Sequence, residues 1–528
     1  MSQLKSLKHI FAQLPHPFNI ANAPDMTING IAIDSRAVQM GQLFVAMTGG
    51  TTDGHAYIPN AIENGAAAVV GEKDLSGLPV PYLRLENTRR ALTWMAGAFY
   101  DWPGRTLTVI GVTGTDGKTT TTNLIYQILL AAGIQAGMIS TVNAVIGNEM
   151  LDTGFHVTTP DAHDVQRYLA KMVNAGLTHV VLETTSHGWS QHRVDACEFD
   201  VGVVTNITHE HMNEHGNFEN YRAAKARLFA SLETTLPKPQ GNPRLGVINR
   251  DDPKSFDFLK DFITVNKLNY GLSDGADVRA VDISYNPSGV HFTAQSGDFR
   301  VPVTSRLVGA YNISNCLAAL TAAVYGLGVE PETAARGIAS LEGIPGRMER
   351  IDLGQDFTAI VDFAHTPNAL KVTLETARRM TSGRVICVFG SAGLRDKEKR
   401  RMMAETSAEL ADLTVLTAED PRTESLEGIL EEMAAGARSR GGSEGETFWR
   451  VADRGEAIRF ALRLARPGDM VLSCGKGHEQ SMCFGQTEYL WDDRTAMRAA
   501  LAEFLGVEGP PMPYLPSSDT PEEVWLKG

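Results

Sequence analysis

Gly111-Val-Thr-Gly-Thr-Asp-Gly-Lys-Thr119 stands between an apolar run and an amphipathic one. Thr106 to Ile110 reads as a buried strand, and Thr120 to Ala132 as a helix with Leu124, Ile128 and Leu129 on one face. A glycine-rich turn at a strand-to-helix junction presents successive backbone N–H groups, and a helix N-terminus, to a phosphate chain. Lys118 would neutralise the outer phosphates, and the Thr119 hydroxyl would ligate Mg²⁺. Val112 occupies the usual first glycine position, so the glycines fall at 111, 114 and 117. The stretch implies ATP, held by Gly114, Thr115, Asp116, Gly117, Lys118, Thr119 and Thr120.

Outward from this turn, longer apolar runs follow at His179–Glu183, Val201–Asn206 and Leu245–Asn249. Strands buried on both faces read this way, which predicts an α/β fold with a parallel sheet covered by helices. Asp277 to Val303 alternates and suggests a small antiparallel addition, with a helix at Asn312–Tyr325. Upstream, shorter runs at Gly30–Ile33, Gln42–Ala46 and Ala66–Val70 suggest a small α/β module. Asp101-Trp-Pro-Gly-Arg105 reads as a linker from it. Downstream of Gly343-Ile-Pro-Gly-Arg347, strands near Phe357–Val361, Val385–Phe389, Leu413–Thr417 and Met470–Ser473 alternate with helices, a second doubly wound pattern. The expected division is 1–103, 104–343 and 344–507, with a loosely ordered tail at 508–528 rich in Pro, Ser and acidic residues.

With 528 residues, 43% hydrophobic and 21% charged, the chain has the composition of an ordinary globular protein of several domains. No apolar run reaches the length of a membrane span, and the N-terminus has no long apolar stretch of a secretory signal. The five cysteines are scattered without a C-x-x-C pair, as expected of free thiols in a reducing cytoplasm. A net charge of −14 argues against nucleic acid as a partner.

Polar residues close several of these strands. Glu183 ends one, and a carboxylate there would complete Mg²⁺ coordination beside Thr119, or serve as a turn acid. His209-Glu-His211 and His215 fit no structural zinc spacing. His211 is a candidate ligand to a second magnesium, or a loop histidine. Lys225 lies on the interior-leaning face of the helix Tyr221–Phe229, but a helical lysine reads on spacing alone as a solvated charge, and an ammonium cannot ligate a metal. In the last module, the turns at Val361–Pro367, Gly390–Lys399, Ala418–Arg422 and Gly475–Glu479 end successive strands. Arg422 there would clamp a carboxylate, and Asp420 or Glu479 would hold an ammonium group.

Together these turns resemble the Mur ligases of peptidoglycan synthesis, over nearly the whole chain from Asp34-Ser-Arg36 to Arg494. The likeness rests on Thr113–Thr119, Thr158-Thr-Pro-Asp161, Glu183-Thr-Thr-Ser-His187, His209–His211 and Ala223-Ala-Lys225. It rests equally on Tyr311–Asn315, Gly346-Arg-Met-Glu349, Asp362-Phe-Ala-His365 and Gly475-Lys-Gly-His-Glu479. It implies a three-domain architecture, a central P-loop domain flanked by a small N-terminal α/β domain and a Rossmann-like C-terminal domain. It also implies an ATP-dependent ligase that adds a diamino acid (meso-diaminopimelate, L-lysine or L-ornithine) to UDP-MurNAc-L-Ala-D-Glu through an acyl phosphate. Other amide ligases of the superfamily, such as the D-Ala-D-Ala-adding or folylpolyglutamate-forming ones, and a non-catalytic nucleotide-binding relative, are the alternatives.

By that resemblance Thr119, Glu183, His211 and a carbamylated Lys225 hold Mg²⁺, carbamylation turning a cationic donor into a pair of anionic oxygens. Asn312 and Asn315 meet adenine, Arg347 and Asp362 meet the nucleotide, and domain closure excludes water from the acyl phosphate. Ser35, Thr158, Thr159, Ser186, Gln191 and Arg193 hold the UDP-muramoyl substrate, and Arg395, Asp420, Arg422, Gly475 and Glu479 the amino acid. Lys118, Lys225, His211 and Glu183 form the catalytic set of a cytoplasmic monomer. Asp420 stands where diaminopimelate-adding members resemble Asn, and an anion there favours a bare ammonium, whereas Arg422 suits a distal carboxylate.

Overall fold

The strand that carries the phosphate turn is Thr108–Thr113, and every residue in it is buried. In the computed structural model, which describes residues 4–49, 52–151, 159–208, 215–286 and 289–517, this strand lies in mid-sheet. It pairs in parallel with His179–Glu183 on one side and Val201–Val204 on the other. Leu245–Asn249 and Asn266–Gly271 continue the parallel run. Ala136–Ile139 pairs in parallel with His179–Glu183 on the other flank. Because the chain crosses from Thr108–Thr113 to strands on either side, its C-terminal end is a topological switch point, where a ligand crevice forms. The alternating stretch expected after Asp277 becomes three strands at the edge of the same sheet, Val278–Asn286, Gly289–Gln295 and Arg300–Ser305.

The strand and helix boundaries around the turn differ from the sequence reading. The strand runs on to Thr113 and so takes in Gly111. A Cβ at Gly111 would lie 2.5 Å from Leu228 and 2.8 Å from Phe199, so this glycine lets the Phe218–Thr234 helix press against the sheet rather than serving phosphate. The following helix starts at Lys118, not Thr120, and runs to Ala131 with Leu124, Ile128 and Leu129 fully buried.

The chain forms two compact units, the first comprising residues 1–280, 294–301 and 314–337. Besides the large sheet, the first unit carries a parallel four-stranded sheet, Ile31–Ala32, Leu43–Val45, Ala68–Gly71 and Tyr82–Arg84. The Asp101–Arg105 segment is a packed turn: Trp102 is buried, and its Nε1 donates to Gln13 at 2.5 Å. Arg105 stacks over the Trp102 ring at 4.0 Å.

The second unit is built on a six-stranded sheet in the order Glu349–Ile351, Thr358–Asp362, Met470–Cys474, Val385–Phe389, Leu413–Leu416, Phe448–Arg450. Only the first strand is antiparallel to its neighbour. Asp362, Cys474 and Phe389 are in register, so the turns that follow these strands emerge on one edge. The segment expected to be loose packs inward as far as Ser517. Met512 and Leu515 are buried in the core, and the Ser517 hydroxyl donates to Asp453 at 3.1 Å.

Candidate active site

The phosphate turn is held from beneath by residues that sequence reasoning gave no role. Thr205 and Asn206 follow the neighbouring Val201–Val204 strand. The Thr205 hydroxyl donates to the Asp116 carbonyl at 2.6 Å, and Asn206 Oδ1 accepts the Asp116 N–H at 3.0 Å. The Thr115 N–H goes to the Asn206 carbonyl at 2.7 Å. The amides of Thr115 and Asp116 are therefore used inside the protein. The N–H groups of the first turn of the Lys118 helix have no intrahelical acceptors, as at any helix N-terminus. Gly114 and Gly117 have φ of +150° and +81°. A Cβ on Gly114 would fall 1.8 Å from Thr205 Oγ1, and one on Gly117 2.4 Å from Asn315 Oδ1, so both glycines are required by space as well as by conformation.

Around this turn the predicted groups converge. The Thr119 hydroxyl donates to Glu183 Oε1 at 3.1 Å, and Glu183 Oε2 accepts the Thr141 N–H at 3.0 Å. Both side chains are buried, Glu183 at the end of its strand. Lys118 Nζ folds back onto the Thr115 carbonyl at 2.6 Å. Lys225 is not the solvated charge that helix spacing suggests. It is 2% exposed, lies 4.5 Å over the Tyr221 ring, and donates to the Gly114 carbonyl at 2.5 Å. The Tyr221 hydroxyl in turn meets Thr115 Oγ1 at 2.9 Å. Asn315 is buried beside this turn and accepts from Thr121 Oγ1 at 3.4 Å. Thr120 is buried in the first helical turn. His211 and Thr158 lie outside the described residues.

A second group adjoins Glu183. Thr159 Oγ1 contacts the Glu183 carbonyl at 3.3 Å and Thr185 Oγ1 at 3.2 Å. Arg193 Nη1 donates to the Thr159 carbonyl at 2.7 Å, and its Nε lies 3.3 Å from Asp161. Ser186 opens a short helix capped by Thr185, and Gln191 closes it. Ser35, in the four-stranded module, is buried, and its carbonyl accepts from Asn64 at 2.9 Å.

In the second unit the turns are joined by buried charge. Asp420, expected to face an ammonium ligand, is 6% exposed and contacts Lys476 Nζ at 3.1 and 3.2 Å. It also accepts the Cys483 N–H at 2.9 Å. Lys476, wholly buried, pairs with Glu479 at 2.6 Å. The ammonium held by Asp420 and Glu479 is thus the chain's own. Glu419, passed over in the sequence, is the carboxyl with capacity to spare: its Oε2 is buried without a hydrogen-bond partner, directed at Gly475. Burial pushes Glu419 up to about 7, against the pull of Lys399, Arg454 and Lys476. Asp420 and Arg422 adopt φ of +41° and +55°, conformations that cost non-glycine residues energy and concentrate at functional sites. Arg422 Nη1 lies 3.4 Å from the Gly393 carbonyl, and Arg395 is exposed on the adjoining turn.

Asp362 is likewise occupied, accepting from Met348 N at 2.7 Å, Ala364 N at 3.0 Å and Thr373 Oγ1 at 3.1 Å. Burial raises its pKa, opposed by the Arg347 charge. Arg347 stacks on Phe363 at 4.5 Å, and Phe363 packs against His365 and His478 at 4.4 and 4.8 Å. Burial brings both histidines down to about 3, so they are neutral. Asn312 Nδ2 donates to the Val308 carbonyl at 2.7 Å.

These features coincide with known proteins along the chain. The Mur ligase middle domain matches residues 112–323, the Mur ligase glutamate ligase domain 346–477, and the Mur ligase family catalytic domain 27–100. The UDP-N-acetylmuramyl-tripeptide synthetase of Roseiflexus sp. (strain RS-1) is 44% identical over 505 residues, covering 94% of this chain and 99% of the relative. The chain belongs to the Mur ligase family. The UDP-N-acetylmuramoyl-L-alanyl-D-glutamate–2,6-diaminopimelate ligase of Geobacillus thermodenitrificans (strain NG80-2) is 39% identical over 497 residues, 94% of this chain and 99% of its own. A solved structure of a ligase of that name superimposes with a TM-score of 0.64 at 31% identity, covering 95% of this chain and 99% of the other. Mur ligases are ATP-dependent amide ligases, and the phosphate turn with Lys118 and the buried Thr119–Glu183 pair is the feature of this chain that suits such chemistry. Among the described residues, no helix is long and apolar enough to cross a membrane.

Proposed function

We propose that this ligase adds a diamino acid to UDP-MurNAc-L-Ala-D-Glu with conversion of ATP to ADP and phosphate. The observation that carries the reading is the burial of Lys225 against the Gly114 carbonyl, beside a turn already furnished with Lys118, Thr119 and Glu183. A lysine buried at a phosphate turn has a chemical purpose that a surface lysine lacks. In this reading Gly114–Thr120, Asn312, Asn315, Arg347 and Asp362 serve ATP. Ser35, Thr158, Thr159, Ser186, Gln191 and Arg193 serve the UDP-muramoyl dipeptide.

The donor set suits magnesium. The Thr119 hydroxyl and Glu183 carboxylate are hard oxygens within 3.1 Å of each other, and carbamylation of Lys225 would add two more, with His211 as a nitrogen ligand. Bound there, Mg²⁺ would neutralise charge on the triphosphate and the acyl oxygens. Lys118 adds a point charge at the outer phosphates, and the first helical turn supplies N–H donors. The D-Glu γ-carboxylate attacks the γ-phosphorus and ADP departs. The deprotonated amine of the diamino acid then attacks the acyl carbon, and phosphate leaves.

The turns of the second unit receive the diamino acid. Asp420 is turned onto Lys476, which it shares with Glu479, so the anion that argued for a bare ammonium is engaged within the protein. Glu419 takes the ammonium role and Arg422, with Arg395, the carboxylate role, while Gly475 leaves room and Glu479 holds Lys476. The three-part division at 1–103, 104–343 and 344–507 follows the three tasks. The test supplies ATP, Mg²⁺ and UDP-MurNAc-L-Ala-D-Glu and offers meso-diaminopimelate, L-lysine and L-ornithine separately. Phosphate release with at least one acceptor is expected; none with any of the three refutes the reading.

A further inference from the structure

The acceptor turns are anchored by a residue that touches neither of their tips. Ala418 and Cys474 immediately precede Glu419 and Gly475; Ala418 lies just past one strand of the six-stranded sheet and Cys474 closes another. Those strands, Leu413–Leu416 and Met470–Cys474, are not neighbours: Val385–Phe389 lies between them. No ladder hydrogen bond can therefore set the distance between the two turns. Arg454 does span it. Its Nη1 donates to the Ala418 carbonyl at 3.1 Å, and its Nη2 to the Cys474 carbonyl at 2.8 Å. The opposite edge of the guanidinium is locked on Asp493, Nε to Oδ1 at 2.7 Å and Nη2 to Oδ2 at 2.6 Å. Asp493 is itself oriented by Trp491 Nε1 and the Ser473 hydroxyl, each at 2.8 Å. Both charged side chains are completely buried.

A buried ion pair is a poor way to gain stability, because desolvating two charges offsets most of their attraction. What a guanidinium offers instead is a rigid fork whose donors diverge at fixed angles. We propose that Arg454 is a positioning residue for the amino-acid acceptor, its guanidinium fixing the span between the Ala418–Arg422 and Gly475–Glu479 turns. The inference rests on the reading of those turns as the acceptor site. It also accounts for the electrostatics, since the Arg454 charge is among those that hold Glu419 down against its burial.

The test is Arg454→Lys, which keeps a cation opposite Asp493 but cannot reach both carbonyls. Arg384→Lys is the matched control: Arg384 pairs with Asp469 at 2.6 Å where the same sheet's strands begin, away from the turns. The KM for the diamino acid should rise about tenfold in Arg454→Lys, with kcat and the KM values for ATP and UDP-MurNAc-L-Ala-D-Glu within about twofold of the parent. Arg384→Lys should lower the melting temperature and leave the acceptor KM unmoved. Trp491→Phe, which removes a single donor to Asp493, should raise the acceptor KM about threefold, and it carries the test if Arg454→Lys does not fold. An acceptor KM within twofold of the parent in the folded Arg454 or Trp491 variant overturns the proposal, as does an equal rise in the Arg384 control. Absence of acceptor-dependent phosphate release in the unmodified protein would instead refute the underlying reading.

Discussion

The phosphate turn of the first unit and the acceptor turns of the second both present polar groups at the ends of parallel strands, but they are made differently. The first is one contiguous stretch shaped by its glycines and backbone, and the neighbouring Thr205–Asn206 segment pins it. The second is assembled from segments far apart in the chain, and its charged side chains are turned largely on one another. Asp420 and Glu479 hold Lys476, Asp493 holds Arg454, and Glu419 keeps a buried oxygen without a hydrogen-bond partner. A site built from backbone tolerates little variation in residue type, because only glycine fits at 114 and 117. A site built from paired side chains can be retuned by exchanging one member of a pair, which suits the acceptor role proposed for these turns.

The comparison fails if the first turn proves as adjustable as the second. Lys118→Ala should lower kcat/KM by about three orders of magnitude with every acceptor alike, because it removes charge stabilisation at the phosphates. Steady-state phosphate release measures this, and a loss confined to one acceptor would contradict it. Lys225→Ala should cost about a hundredfold in turnover, with partial recovery on adding bicarbonate or a short carboxylic acid, which would supply the missing oxygens. Unchanged turnover in that variant would remove the carbamate from the scheme.

Effects in the second unit should be smaller and acceptor-specific. The folded-state pKa of Glu419 is raised above its ordinary value, so its carboxyl becomes anionic only as pH climbs through about 7. The acceptor KM should therefore fall between pH 6 and pH 8, and Glu419→Gln should flatten that profile while raising the KM at pH 8 about tenfold. The sign for stability is opposite. Ionising this buried carboxyl penalises the folded state, so the stability it lends below its unfolded pKa is lost as pH rises through about 7. Glu419→Gln should accordingly melt higher relative to the parent at pH 8 than at pH 6. The smallest change is expected of Asp420→Asn, about threefold in acceptor KM with ATP unaffected, since Glu479 still pairs with Lys476. A larger shift would show that Asp420 meets the ligand directly.

What could be read without coordinates follows the same divide. The Lys118-Thr119 turn, its flanking strand and helix, and the alternation of strands and helices on both sides of Arg347 are consequences of local pattern: apolar period, glycine placement and strand-end polarity. The Val385–Phe389 strand falls where its apolar run predicts, because burial on both faces leaves no polar position to blur the ends. Lys225 is the instructive failure of that logic. Its place in the helix leans inward with Tyr221, Leu228 and Phe229, but a helical lysine ordinarily reads as a solvated charge, and only the packed structure shows it buried on the Gly114 carbonyl.

Sequence by itself determined the layered α/β architecture, the phosphate turn and the family, because each depends on residues adjacent in the chain or recurring at fixed spacing. Tertiary structure decided which charges remain available: it spent Asp420 on Lys476, Asp362 on three donors, and the Thr115 and Asp116 amides on Asn206. It also brought Arg454 between two strands that never pair. The physical reason is that a charge is settled by whatever lies within a few ångströms of it in space, and chain order does not specify those neighbours.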